Sequence, residues 1–172
     1  MQTQIVLLRG INVGGHNKLP MADLVDLLEK LGADNVKTYI QSGNAVMTAD
    51  ISGDVIADAI EVAHGFRPSV IVFDGAEFDS IAIANPFPEA VSDGKTLHIW
   101  FTEATPTFDT AKADALASPS ERYAVTGHAI YLHAPDGIGR SKLAAAMEKL
   151  VGVSATARNW NTVAKLLDLA KP

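Results

Sequence analysis

Four stretches of the chain gather glycine, amide and basic side chains, the residue types that hold an anion. The first is Leu8-Arg9-Gly10-Ile11-Asn12-Val13-Gly14-Gly15-His16-Asn17-Lys18. Backbone N–H groups in a Gly-rich turn ahead of a helix cradle anions, and Arg9 and Lys18 add charge. Gly10 and Gly15 have P-loop spacing, but His16 and Asn17 stand where Lys and Ser/Thr would grip phosphate and magnesium, so this is no P-loop. The second stretch is Thr38-Tyr39-Ile40-Gln41-Ser42-Gly43-Asn44, whose Gly and Asn a hairpin turn alone explains. The third, Gly137-Ile138-Gly139-Arg140-Ser141-Lys142, opens a helix with Ser141 as N-cap. The fourth, Thr156-Ala157-Arg158-Asn159-Trp160-Asn161-Thr162, precedes the terminal helix; Trp160 either stacks on a base or anchors that helix, and the anchor is favoured.

Other chemistry has little support. His16, His64, His98, His128 and His133 show no HxH or HExxH spacing, so no metal site is expected. Cysteine is absent, which excludes disulfides, thiolate zinc sites and a cysteine nucleophile. There is no GxSxG elbow, and no cofactor is implied. The strands that would carry stacking aromatics in an RNA-recognition domain, Ile5–Leu8 and Asn44–Met47, have none, so nucleic acid is not favoured as a partner.

Composition bounds the rest. With 172 residues, 48% hydrophobic and 20% charged, the chain reads as globular and not as disordered or coiled-coil. The first ten residues lack a basic leader, and the apolar run Ile5–Leu8 is far too short for a membrane span, so a soluble, cytoplasmic protein is expected. The net charge of -6 hides an uneven distribution. Residues 1–22 carry Arg9 and Lys18 and no acid, and residues 122–172 carry seven bases against three acids. The seventeen remaining acids face five bases in the middle. If the two ends meet, an acidic body carries one cationic patch.

The elements that must position these residues follow from periodicity. Ile5–Leu8 reads as a buried strand; Met21, Leu24, Val25, Leu28 and Leu31 share a helical face after Pro20. Val36–Gln41 and Asn44–Thr48 read as strands around a two-residue Ser42–Gly43 turn, followed by a helix through Ile56 and Ile60 and a strand at Val70–Phe73. This βαββαβ order returns over about 95–158, with strands at Thr96–Phe101, Arg122–Thr126, Ala129–Ala134 and Val153–Ala157. Extra helices fall at Asp74–Ala84, opened by a capping box of Asp74 and Glu77, and at Asn161–Ala170. The expected fold is α+β, with duplicated ferredoxin-like (βαββαβ) halves, antiparallel sheets and extra helices. Residues 1–74 form the first half, 75–94 a connecting helix and Pro-containing loop, and 95–172 the second half with its C-terminal helix.

At Leu8–Lys18, Tyr39–Asn44, Gly139–Lys142 and Arg158–Thr162 the chain resembles the DUF1697 family of uncharacterised bacterial proteins, over nearly its whole length. The resemblance implies a ferredoxin-like duplication and no established activity. A remoter similarity is to acylphosphatases, which place a phosphate cradle between the first strand and helix of a βαββαβ fold. Gly10, Gly14 and Lys18 reproduce its spacing, and Gln41 falls near the position of the water-orienting Asn. Lys is a point charge where the family has a bidentate Arg, and Gln is a residue longer than Asn.

The leading expectation is a binding module for a phosphorylated or carboxylated small molecule, a nucleotide being one candidate. Its ligand-binding residues are Arg9, Asn12, Gly14, Gly15, His16, Lys18, Gln41, Ser42, Asn44, Arg140, Lys142, Arg158, Asn159 and Trp160. Arg9, Lys18, Arg140 and Arg158 would neutralise charge, and Asn12, Ser42, Asn44 and Asn159 would donate hydrogen bonds. Hydrolysis of an acyl phosphate or phosphate ester, with Lys18 and Gln41 as catalytic candidates, is the alternative. A structural or protein-interaction role is the third.

Overall fold

The computed structural model describes all 172 residues. They fall into two compact units, residues 1–80 with 164–172, and residues 81–163. Lys165 and Lys171 therefore join the unit that holds Arg9 and Lys18, and within it Lys37 Nζ donates to the Leu169 carbonyl at 3.4 Å. The last helix ends in this unit and not in the second half, where it is expected from the element order.

The first unit contains β1 (Gln2–Arg9), α1 (Met21–Lys30), β2 (Asp34–Thr38), β3 (Asn44–Ala49), α2 (Gly53–His64) and β4 (Ser69–Asp74). The strands form one sheet in the order β2-β3-β1-β4, and every neighbouring pair is antiparallel. Alternation sends Val6, Leu8, Ala45 and Met47 to one face, where they meet Leu24 and Leu28 of α1 and Ile56 and Ile60 of α2. Full burial of each of the larger aliphatic side chains among them contributes roughly 1.5–3 kcal/mol. The opposite face, with Ile5, Leu7, Val46 and Ile71, is buried as well. Neither face of the two central strands is therefore open to a base.

Local signals place the helices. Ser52 caps α2 by accepting from Val55 N, and Gly65 closes it in the left-handed conformation that favours glycine. Gly53 sits where a Cβ would come within 2.3 Å of the Val70 carbonyl, so only glycine lets α2 start against β4.

The second unit contains β5 (Leu97–Thr102), α4 (Thr110–Leu116), β6 (Arg122–Val125), β7 (Ala129–His133), α5 (Lys142–Val151) and β8 (Ala155–Asn159). Its sheet runs β6-β7-β5-β8, again antiparallel throughout. Counted within each unit, the two sheets have the same strand order. Trp100, Ile130 and Leu132 pack on Leu143, Met147 and Leu150 of α5 and Ala113 of α4. Preceding and following these elements in the chain are α3 (Gly75–Ile83) and α6 (Trp160–Leu169). No helix is long and apolar enough to cross a membrane.

Three local expectations change. The strand expected over Val36–Gln41 ends at Thr38, so residues 39–43, and not Ser42–Gly43 alone, connect β2 to β3. Ile40 takes φ +51° and the Asn44 side chain holds the Tyr39 carbonyl, which turns the chain out of the ladder early. The last strand lies two residues beyond Val153–Ala157, because β5 pairs with it from His98↔Asn159 to Thr102↔Ala155. Arg158 and Asn159 are thus strand residues. At α3, Glu77 accepts from Asp74 N at 3.2 Å, half of the capping box, while the Asp74 carboxylate is held by Gln2.

Candidate functional site

The connection from β1 to α1 is a folded loop with left-handed residues at Gly10, Asn12, Gly14, Gly15 and Asn17. Val13 and His16 form an isolated antiparallel bridge, with His16 N donating to Val13 O at 2.9 Å. Gly14 and Gly15, at φ +57° and +78°, are the central pair of that turn, matching a type I′ hairpin that requires positive φ at both. Asn12 N donates to Asn17 O at 3.0 Å and Asn17 Nδ2 to Gly10 O at 3.0 Å, so the loop closes on itself.

Asn12 joins this loop to the β2–β3 connection. Its Nδ2 donates to Leu19 O at 2.9 Å and to Gln41 O at 2.8 Å, and its Oδ1 accepts from Leu19 N at 2.8 Å. Both amide hydrogens are spent on backbone carbonyls. The fully buried Asn44 organises the second loop, its Nδ2 donating to the Tyr39 carbonyl at 2.9 Å and to the Ser42 hydroxyl at 3.1 Å. These two asparagines, expected to donate to a ligand, position the loops instead.

Around the Asn12 tie the exposed polar side chains include His16, Lys18, Gln41 and Ser42, and Arg9 ends β1 half-buried opposite Ser69 of β4. Gly43 locks the base of the second loop: its carbonyl accepts from Leu8 N at 2.8 Å, and a Cβ there would lie 2.8 Å from Leu8 Cβ. The first unit thus presents a fixed pair of loops bearing a lysine, an imidazole, an amide and a hydroxyl.

The C-terminal segments sit in the second unit, and they do not share one face. Ser141 caps α5 by accepting from Ala144 N at 3.0 Å, beside a cleft of about 420 Å³ whose lining includes Arg140, Lys142, Glu121 and Asp136. Two acids in that lining offset the two bases. Arg158 alternates with Ala157, whose side chain joins the cluster under α5, so Arg158 points to the other face of the sheet. It is buried, donates to Thr156 Oγ1 and Ala157 O at 2.8 Å, and burial lowers its pKa to about 10, which leaves it charged at neutral pH. Asn159 caps α6 by accepting from Thr162 N at 3.0 Å, and Trp160 begins that helix half-buried.

His98, on β5 in the second unit, carries a signal that spacing did not reveal. Its Nδ1 is buried without a hydrogen-bond partner, 6.1 Å separates its ring centroid from that of Trp100, and desolvation lowers its pKa to about 4. The fold therefore favours the neutral ring, and the unfolded chain, with a histidine near 6.5, takes up the proton first. Stability is complete above pH 6.5 and falls as pH drops toward 4. Urea unfolding at pH 4.5 is expected to show about 1–2 kcal/mol less stability from this group than at pH 7. In His98→Leu that part of the pH dependence should vanish.

No group of His, Asp and Glu side chains is arranged to hold a metal ion. The sequence model of a family described as a protein of unknown function, DUF1697, matches residues 1–131. The match takes in both loops of the first unit and ends before Gly137. Among solved structures, a conserved bacterial protein from Streptococcus pneumoniae aligns with a TM-score of 0.69 and 23% identity, covering 98% of this chain and 98% of that one. At that identity the likeness concerns the fold. No curated protein matches the chain.

Proposed function

The chain belongs to the DUF1697 family of proteins of unknown function, and from the loop pair of its first unit we propose a binding module for a small anionic ligand, phosphorylated or carboxylated. A duplicated ferredoxin-like architecture is part of this reading, supported by the identical strand order of the two sheets. The observation that carries it is the Asn12 tie, whose hydrogen bond to Gln41 O joins the two loops and whose two bonds with Leu19 fix the first, while Lys18, His16, Gln41 and Ser42 stay exposed. Loops fixed in advance bind at lower entropic cost. Arg9 belongs to the same unit and completes the cationic character.

Lys18→Ala tests this reading. In a thermal-shift panel of phosphate, nucleotides, sugar phosphates and carboxylates at constant ionic strength, a ligand at 100 times its Kd adds about 2.7 kcal/mol of stability. The variant is expected to weaken that ligand roughly tenfold to a hundredfold, the loss of one charge-assisted hydrogen bond, and to leave the apo stability within about 0.5 kcal/mol. No response to any member of the panel sinks the proposal.

The hydrolase reading has less support. Gly10, Gly14 and Lys18 keep the phosphate-cradle spacing, yet Asn12 N–H and His16 N–H donate within the loop at 3.0 and 2.9 Å and are not free to cradle an oxyanion. Turnover of an acyl phosphate that disappears in both Lys18→Ala and Gln41→Ala would reverse this ranking. On this reading Arg140, Lys142, Arg158, Asn159 and Trp160 are not needed by the first-unit site.

A further inference from the structure

The two loops joined by Asn12 each present an aliphatic side chain to solvent beside the tie. Val13, next to Asn12, is 64% exposed, and Ile40, next to Gln41, is 48% exposed. Ile40 also stands out by conformation. The non-glycine residues at positive φ are Asn12, Asn17, Asn35 and Ile40, the last at +51°. Asparagine visits the left-handed region readily, whereas a β-branched chain collides there with its own backbone.

Half-exposed, Ile40 recovers only part of that cost by burial. Its neighbours enforce the conformation: Tyr39 N donates to Asn44 O at 3.0 Å and Asn44 Nδ2 returns to Tyr39 O at 2.9 Å. The same clamp would hold glycine or asparagine at position 40 with less strain. Strain kept by an enforcing surround is typical of ligand sites.

We propose that Ile40, with Val13, forms the apolar half of the loop-pair site, so that its ligand joins an anionic group to an apolar or aromatic body. The inference rests on the anion-binding reading and specifies its ligand class. The anionic group lies toward Lys18 and His16, and the body lies against Ile40. A nucleotide or an aryl phosphate satisfies this description and inorganic phosphate does not.

Methyl phosphate and phenyl phosphate carry the same charge and differ only in the attached body. Titrated into the full chain at constant ionic strength, phenyl phosphate is expected to bind about tenfold more tightly. Ile40→Asn should bring the two esters to within about twofold, leave methyl phosphate unchanged and raise Tm by several degrees. Ile40→Val keeps both the apolar surface and the strain, so it should retain the preference at the wild-type Tm. Equal binding of the two esters by wild type, with both weakened in Lys18→Ala, overturns the apolar half and leaves the anion site standing. A preference that survives Ile40→Asn assigns the phenyl ring to another surface and also overturns it. Binding of neither ester overturns the inference and the anion site together.

Discussion

Replacing Asn12 by alanine is expected to cost about 2–4 kcal/mol of stability and to abolish measurable anion binding at the loop pair. The substitution removes two hydrogen bonds to carbonyls, at Leu19 and Gln41, and one from Leu19 N. It also puts alanine at φ +53°, where asparagine is tolerated far better. Leu19 is fully buried, so its backbone groups have no easy substitute in water. Asn12→Asp is the sharper variant, because its shape is conserved. A carboxylate still accepts from Leu19 N but faces the Leu19 and Gln41 carbonyls with no hydrogen to donate, and the loops separate. Urea unfolding together with a phosphate-ester titration checks both effects. If Asn12→Asp binds as wild type does, the tie is not what organises the site. Lys18→Ala supplies the contrast, since it should lose affinity at unchanged stability.

Gly43→Ala should destabilise the protein by about 2–4 kcal/mol, with a Tm lower by roughly 5–15 °C. Two costs add at this position. Its φ of +98° lies where L side chains are strained, and the new Cβ would lie 2.8 Å from Leu8 Cβ and 2.9 Å from Ile11 Cδ1. Both neighbours are packed in the core and cannot retreat. Gly15→Ala separates the two costs, since φ there is +78° and nothing lies within 4 Å of the added carbon. It should lose only about 1–2 kcal/mol. Thermal unfolding of the two variants side by side checks the difference; equal losses would mean that the contact with Leu8 relaxes freely.

The element order was legible because its signals are local. Met21, Leu24 and Leu28 recur at helical spacing, Ser52, Ser141 and Asp109 cap the helices that follow them, and Gly65 and Gly152 end theirs in the left-handed conformation. Each of those features is decided within one or two turns of chain. The two βαββαβ runs could be counted from them without knowing which strands pair. The Gly10–Lys18 loop was legible as a Gly-rich polar connection between β1 and α1, from its residue types.

The duties within that loop were not legible, because they depend on groups remote in sequence. Asn12 and Gln41 are 29 positions apart, and only the pairing of β1 with β3 brings the second loop beside the first. An exposed amide and a structural tie have the same letter in a sequence. Arg158 is the second example: its register opposite Ile99 on β5 turns it to the sheet face away from α5 and buries it, so it does not join Arg140 and Lys142. Ile40 is the third, since nothing in its type announces a left-handed backbone that the Tyr39 and Asn44 clamp imposes.

Periodicity, caps and glycines act over a few residues, so the order of strands and helices and the position of the polar loops could be read from the amino-acid sequence. Tertiary structure decided which polar side chains are spent inside the protein and which remain outward at Lys18, His16, Gln41 and Ser42. That division depends on where each buried carbonyl must find its donor, and strand pairing alone settles it.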